Sequence, residues 1–243
     1  MPDNIAPINN ALRTVVLVPT YNERDNIENI VPAILNAASV DVCVIDDNSP
    51  DGTGELADKL AANNPQVQVL HRPGKQGLGR AYLDGFRWAL AQGYERIIEM
   101  DADFSHPPRF LPDLLRLSMD HDLVLGSRWI KGGGTENWPL SRRLLSRWGS
   151  FYSRTWLGVN IHDITGGFKC FHHQVLRAID LNDIHTSGYA FQVEMTYRAL
   201  KLGFSVVETP IIFVERTEGA SKMSRHIAFE AMIAVPKLRF KVR

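Results

Sequence analysis

The chain has 243 residues, 44% of them hydrophobic, with Lys+Arg and Asp+Glu both at 27 and a formal net charge of zero. That length buries a full core in one large α/β domain, and zero net charge excludes a global field that recruits nucleic acid, so any basic site is local. Cys43 and Cys170 each sit inside an apolar run, which excludes a disulfide framework, and no apolar stretch approaches the roughly 20 residues of a membrane-spanning helix.

Met1–Asn10 shows no signal-peptide pattern, so the expectation is a cytoplasmic chain, soluble or peripheral on a membrane. Val15–Val18 is a continuous apolar run ended by Pro19, as in a buried parallel strand. Asn22, with Asp25 three residues on, is placed to cap a helix through about Ala38, whose Ile27, Ile30, Val31, Ile34 and Leu35 share one face. Val42–Ile45 reads as a second strand, about Thr53–Ala62 as a helix and Val67–Leu70 as a third strand. Gly77-Leu78-Gly79 then opens a helix to about Ala91; it lacks the third glycine of a dinucleotide fingerprint and serves close backbone packing. Ile97, Ile98 and Met100 form a fourth strand. Strand and helix alternating at this spacing predict a Rossmann-like, mostly parallel sheet flanked by helices in a single domain.

The second half is less regular. A helix is expected over Pro107–Met119, a strand over Leu123–Gly126, and a mobile glycine loop at Gly132-Gly133-Gly134. Ser141–Trp156 is a helix mixing arginines with Trp148, Phe151, Tyr152 and Trp156, a composition that suits an anionic lipid or a membrane surface. Gly166–Phe171 reads as strand, Tyr189–Leu202 as helix, and Val206-Val207 and Ile211–Val214 as strands broken at Pro210. The tail from Ser224 is helical and then basic, with Lys237, Arg239, Lys241 and Arg243. The expected division is an N-terminal extension over 1–12, a catalytic domain over 13–224 and a basic amphipathic tail over 225–243.

Chemistry concentrates in the stretch Arg96–Pro108. Asp101 and Asp103 follow a strand at once, and Pro107-Pro108 end the extended segment. Ligands of open α/β sheets bind where strands leave the sheet. Hard divalent cations, Mg²⁺ above all, are held by one or two carboxylates plus substrate phosphates. An Asp-x-Asp pair at a strand end therefore suits a metal–diphosphate site.

Five stretches in order extend this reading: Val18-Pro19-Thr20-Tyr21-Asn22-Glu23, Ile45–Thr53, Met100–Asp103, Gly126-Ser127-Arg128 and Arg216–Ser224. Together they resemble the inverting family 2 glycosyltransferases of GT-A fold, and more narrowly the polyprenol (dolichol) phosphate mannosyltransferases, similar to the catalytic domain of actinobacterial polyprenol monophosphomannose synthases. The resemblance implies a GDP-mannose donor and a polyprenyl monophosphate acceptor. Pro19, Tyr21 and Glu23 would line the guanosine pocket, with Ile45 and Asp47 beside base and ribose. Tyr21 offers a stacking face and Glu23 accepts adjacent N–H donors. Asp101, Ala102 and Asp103 would meet the diphosphate and a divalent metal, Mg²⁺ or Mn²⁺, with Asp103 the stronger ligand. Ser105 stands where many relatives carry Gln and is the third candidate ligand. Arg216 and Lys222 match basic diphosphate contacts, Arg128 a residue between the two phosphates, and Arg142 and Ser146 acceptor-phosphate contacts one helical turn apart.

Asp101, Asp103 and Arg128 are thus the expected catalytic residues. Asp163 and Glu194 are expected to bind sugar or hold structure rather than act as a base, because a phosphate monoester is already anionic. The competing readings are transfer of glucose from UDP-glucose to the same acceptor, a non-catalytic nucleotide-sugar binding subunit, and hydrolysis of the donor. A membrane surface is an expected partner, through the arginine and aromatic helix and the tail, or else through a separate membrane-anchoring protein.

Overall fold

The computed structural model describes residues 12–215 and 234–242. Its centre is a seven-stranded sheet in the order β3-β2-β1-β4-β7-β5-β8. The strands are β1 (Thr14–Thr20), β2 (Asp41–Asp46), β3 (Val67–His71), β4 (Arg96–Glu99), β5 (Leu123–Ser127), β7 (Lys169–His172) and β8 (Val206–Pro210). All run parallel except β7, which is antiparallel to both its neighbours. A second sheet pairs β6 (Gly134–Glu136) with β9 (Ile212–Val214). Val15–Val18 and Val42–Ile45 have no exposed surface, the burial on both faces that a continuous apolar run encodes.

Helices cover the two faces: α1 (Arg24–Ala37), α2 (Thr53–Asn63), α3 (Leu78–Ala91), α4 (Leu111–Leu117), α5 (Leu140–Leu157), α6 (His173–Ala178), α7 (Gly188–Lys201), and α8 over 234–241. One core cluster joins Leu17, Ile45, Tyr82, Phe86, Phe171 and Phe191; the other joins Val16, Ile27, Ile30, Val44, Ile98 and Phe168. The alternating strand residues 15/17 and 16/18 divide between them, as the period of two requires. Gly85 lets α3 lie close on the sheet, since a Cβ there would stand 2.5 Å from Cδ1 of Ile45.

Several expectations change in detail. Asn22 does not cap α1: it adopts φ 57°, and its own N–H donates to Oγ of Ser49 (3.1 Å). The helix start is served from the next loop, where Asp51 accepts the Arg24 N–H (3.3 Å). Gly132–Gly134 is not a free glycine loop. Gly134 begins β6, and a Cβ on Gly133 would meet the Ser127 carbonyl at 2.4 Å, so backbone packs against backbone there. The strand expected over 166–171 starts only at Lys169, and the 107–119 helix divides into a 3₁₀ turn, Pro108–Phe110, followed by α4.

The described part of the C-terminal segment packs on the domain. Val235, Leu238 and Val242 join the first core cluster. Lys241 pairs with Asp183 (2.9 Å), and Arg239 donates to the Trp156 carbonyl (2.6 Å). The tail's beginning, 225–233, and Arg243 lie outside the described residues. If α8 is part of the core, Leu238→Ala will cost about 2–3 kcal/mol of stability. Phe240→Ala, at a side chain 77% exposed, will leave the melting temperature in place. Thermal melts of the two variants check this, and equal effects would put the segment outside the core.

Candidate functional site

The parallel strands end along one edge, and the chain bends there into the loops that carry the polar motifs. β1 lies between β2 and β4, so the turns after all three face one crevice. Oγ1 of Thr20 donates to the Ile45 carbonyl and to the Asp46 carboxylate, both at 3.3 Å. Asp46 also accepts the hydroxyl (2.5 Å) and N–H (3.1 Å) of Ser49. These bonds fix the β1 and β2 loops to each other.

On that frame Pro19, Tyr21 and Glu23 stand partly exposed. The Lys75 ammonium lies 4.1 Å from the Tyr21 ring centroid. Glu23 accepts the Asn26 amide (2.7 Å), and its N–H donates to Thr53 (3.1 Å). Asp47 is buried and ion-paired to Arg72, which also donates to Asp84 (2.8 Å). The Ile45 side chain is in the core against Gly85, and its carbonyl, bonded by Thr20, lies at the strand end.

Past β4, Asp101 and Asp103 are partly exposed, with Ala102 buried between them. Asp103 accepts the Ser105 N–H (3.1 Å), and Phe104 takes φ 57° to make this tight turn. The Asp101 N–H donates to Nδ1 of His106 (3.3 Å). Burial holds the His106 ring well below its ordinary pKa, at about 4, so it is neutral here. The Ser105 hydroxyl is buried and has no hydrogen-bond partner among the described residues. Two carboxylates beside an unsatisfied hydroxyl suit a hard divalent cation. No third His, Cys or carboxylate joins them among the described residues, so substrate phosphate and water would complete the shell. Beneath the pair, Glu99 and Lys169 face each other in register, both without exposed surface. Burial raises Glu99 to about 8, against the pull of the Lys169 ammonium, and burial lowers Lys169 to about 8.

Arg128 follows β5 and is buried. Its Nε and Nη2 each donate to Asp163 at 2.7 Å, and its N–H donates to the same carboxylate at 2.9 Å. Burial opposes its charge, but Asp163 outweighs burial and leaves the guanidinium pKa raised. Glu208 on β8 accepts the N–H groups of His162 and Asp163, both at 2.8 Å, and so holds the turn that carries Asp163. Glu194 accepts Thr186 (2.7 Å) and both Nε and Nη2 of Arg198. Each carboxylate therefore has a structural assignment.

Arg142, in the first turn of α5, pairs with Glu215, and its guanidinium lies 4.2 Å from the Trp138 ring. Ser146 is one turn further along the helix, partly exposed. The outer face of α5 leaves Leu140, Leu144, Trp148 and Phe151 exposed, with Arg143 and Arg147 between them. Arg216 and Lys222 lie outside the described residues.

Two residues without an assigned role join these parts. The Phe213 ring is 5.1 Å from both His106 and Trp138, edge-on to each, and the Arg128 guanidinium is 5.5 Å from it. Trp138 stands between Arg142 (4.2 Å) and Arg128 (5.5 Å). The aromatic pair thus ties the Asp-x-Asp turn to both arginines. The available signals were a Trp just before Pro139 at a helix start and a Phe just before the basic stretch.

Residues 15–180 match the family described as Glycosyl transferase family 2. The chain is 49% identical over 227 residues to an undecaprenyl-phosphate mannosyltransferase from Micrococcus luteus, covering 93% of each. It is 50% identical to a polyprenol monophosphomannose synthase from Mycolicibacterium smegmatis, covering 92% of this chain and 85% of that one. Among solved structures, glucosyl-3-phosphoglycerate synthase from Mycobacterium tuberculosis with Mn²⁺ and UDP-glucose superposes with TM-score 0.69 at 17% identity, covering 95% and 80%. A mannosyltransferase from Pyrobaculum calidifontis in complex with GDP-Man and Mn²⁺ gives 0.59 at 16% identity, covering 100% and 77%. The structural likenesses identify the GT-A fold, and the matched span and close relatives place this chain in glycosyl transferase family 2.

Proposed function

We propose that the chain transfers mannose from GDP-mannose to a polyprenyl monophosphate with inversion at the anomeric carbon. It works with a divalent cation, Mg²⁺ or Mn²⁺, peripherally at the cytoplasmic face of a membrane. The observation that carries this reading is the pairing, across Phe213 and Trp138, of a carboxylate pole (Asp101, Asp103) with an arginine pole (Arg128, Arg142). One pole suits a metal-bound diphosphate and the other an acceptor phosphate. The close relatives named for polyprenyl-type mannosyl transfer support the same pair of substrates.

The chemistry follows from charge. An acceptor phosphate oxygen attacks C1 of mannose from the face opposite GDP. The new C–O bond forms as the bond to the diphosphate oxygen breaks, and GDP keeps that electron pair. A phosphate monoester carries its own negative charge at neutral pH, so no proton has to leave the nucleophile. This agrees with Asp163 and Glu194 being engaged by Arg128 and Arg198. Asp101 and Asp103, with Ser105 beside them, would hold a divalent cation, and it would neutralise charge on the departing diphosphate. Arg128 keeps its plane through Asp163, ready between the two phosphates, and Arg216 and Lys222 add charge to the donor side. Positioning provides the remainder of the rate.

The lipid must be met at a bilayer surface, yet no helix among the described residues is long and apolar enough to cross one. The α5 face suits such a surface. Leu140, Leu144, Trp148 and Phe151 form one exposed stripe, and Arg143 and Arg147 offer about 1 kcal/mol each to an anionic leaflet. Since α8 packs into the core, α5 is the better docking element of the two expected.

Asp103→Ala is expected to reduce mannosyl transfer by at least a hundredfold and to weaken metal-dependent GDP-mannose binding, measured with labelled donor and by calorimetry; unchanged turnover removes the metal assignment. Arg142→Ala should raise the apparent KM for polyprenyl phosphate while GDP affinity holds. A weakened GDP affinity instead would put α5 on the donor side. Flotation with anionic vesicles at low salt tests the docking face: the intact chain should float, and Trp148→Glu with Phe151→Glu should not. An intact chain that stays behind at low salt points to a membrane-anchoring partner protein.

A further inference from the structure

The proposed role of Arg142 is to contact the acceptor phosphate, and the inference drawn from its surroundings rests on that reading. In the structure its guanidinium is already occupied by an anion. Nη1 donates to Oε1 of Glu215, the residue that follows β9. Trp138 lies over one face of the guanidinium at 4.2 Å, and an incoming anion makes its in-plane hydrogen bonds along the edge. That edge is where Glu215 sits.

Three features mark the contact as exchangeable rather than a structural joint. First, both partners retain access to water, with side chains 19% and 27% exposed, whereas Arg128 and Asp163 are at 6% and 0%. Second, the carboxylate leaves the guanidinium incompletely used: among the described residues Glu215 is bonded through Nη1 alone, and the buried Nε, on the other side of the group, has no hydrogen-bond partner. A phosphate offers three oxygens and can engage a guanidinium through two donors at once. Third, the backbone of Glu215 is held independently, by its N–H donating to the Glu136 carbonyl (3.1 Å), so the side chain can swing away without unpairing β6 and β9. A phosphate and a carboxylate on one edge of one cation repel each other, so the stronger, bidentate anion displaces the weaker.

We propose that the Glu215 carboxylate holds the acceptor phosphate's place on Arg142 and is displaced when that phosphate binds. Glu215 keeps a half-buried arginine paired and correctly stacked on Trp138 in the empty enzyme. It also sets a threshold, because a neutral polyprenol or a weakly bound anion does not displace it.

The test is calorimetric titration of the full chain, with GDP present, using farnesyl phosphate as a short polyprenyl monophosphate. Glu215→Gln removes the competing charge and should tighten the Kd about fivefold, the scale of a part-exposed ion pair. The control is Glu136→Gln, which removes one negative charge from the same small sheet and should leave the Kd unchanged. Combining Glu215→Gln with Arg142→Ala should abolish the gain. Weaker or unchanged binding by Glu215→Gln would overturn the exchange, showing that the carboxylate positions Arg142 or does nothing. Equal tightening by Glu136→Gln would overturn it too, in favour of a general charge effect. Arg142→Ala alone separates the two levels. If it binds farnesyl phosphate as well as the wild type does, the acceptor reading falls and takes the exchange with it; if it binds poorly while Glu215→Gln gains nothing, only the exchange falls.

Discussion

The geometry of the candidate crevice depends on one buried ion pair, Arg128 with Asp163. Breaking such a pair leaves an uncompensated charge in the core, at a cost of about 3–5 kcal/mol, so each partner holds the other in place. Asp163 accepts from Nε, Nη2 and the backbone N–H of Arg128, and its own turn is held by Glu208. Ser150 of α5 hydrogen-bonds Thr165 (2.9 Å) and lies 3.5 Å from the Asp163 carboxylate. The turn after β5, the turn before β7 and the helix with the exposed apolar stripe therefore meet at one charged joint. The inner face of α5 is thus joined, through Ser150, to the turn that holds Arg128.

That joint exists because β7 runs against the other strands. An antiparallel strand between β4 and β5 starts at the edge where its neighbours end, which brings Gly166 and Gly167 up beside the Asp-x-Asp turn. Gly166 is close to the carbonyls of Gly126 and Asp163, so the turn packs backbone on backbone. The small β6–β9 sheet then closes the same edge from above. Val214 donates its N–H to the Ser105 carbonyl (3.2 Å), and Phe213 reaches His106, Trp138 and Arg128. The Asp-x-Asp turn and the two arginines are thus joined through a continuous set of ring contacts.

The parallel half of this fold was legible in the sequence because its central strands β1 and β2 are buried on both faces and so carry continuous apolar runs. Val15–Val18 and Val42–Ile45 announce themselves, as does the carboxylate pair after Ile97-Ile98. The remainder was hidden for physical reasons. β6 and β9 have three residues each, too few for a period, and their pairing is set by contacts between residues far apart in the chain. Helix α1 is capped from another loop, so the local Asn22 signal pointed the wrong way. Trp138 and Phe213 look like ordinary core aromatics until the fold brings Arg128 and Arg142 to them. Charged residues were easy to nominate but not to sort: only the structure separates Arg128, locked into Asp163, from Arg142, held by a half-open carboxylate.

The zero net charge has a structural counterpart. Arg72 is matched with Asp47, Arg128 with Asp163, Arg142 with Glu215 and Arg198 with Glu194. A protein built to handle two phosphorylated substrates could have done so with a surplus of free cations, but those would bind any polyanion. Pre-pairing changes the problem from attraction to exchange. A ligand gains only the difference between its own contacts and those of the carboxylate it replaces, so geometry decides more than charge does. Where the carboxylate is buried, as at Asp163, no exchange occurs and the arginine serves as a fixed point. Where it is half exposed, as at Glu215, a better anion can enter. Burial of the counter-ion, rather than the identity of the arginine, therefore separates the cations fixed in place from those whose partner is open to exchange.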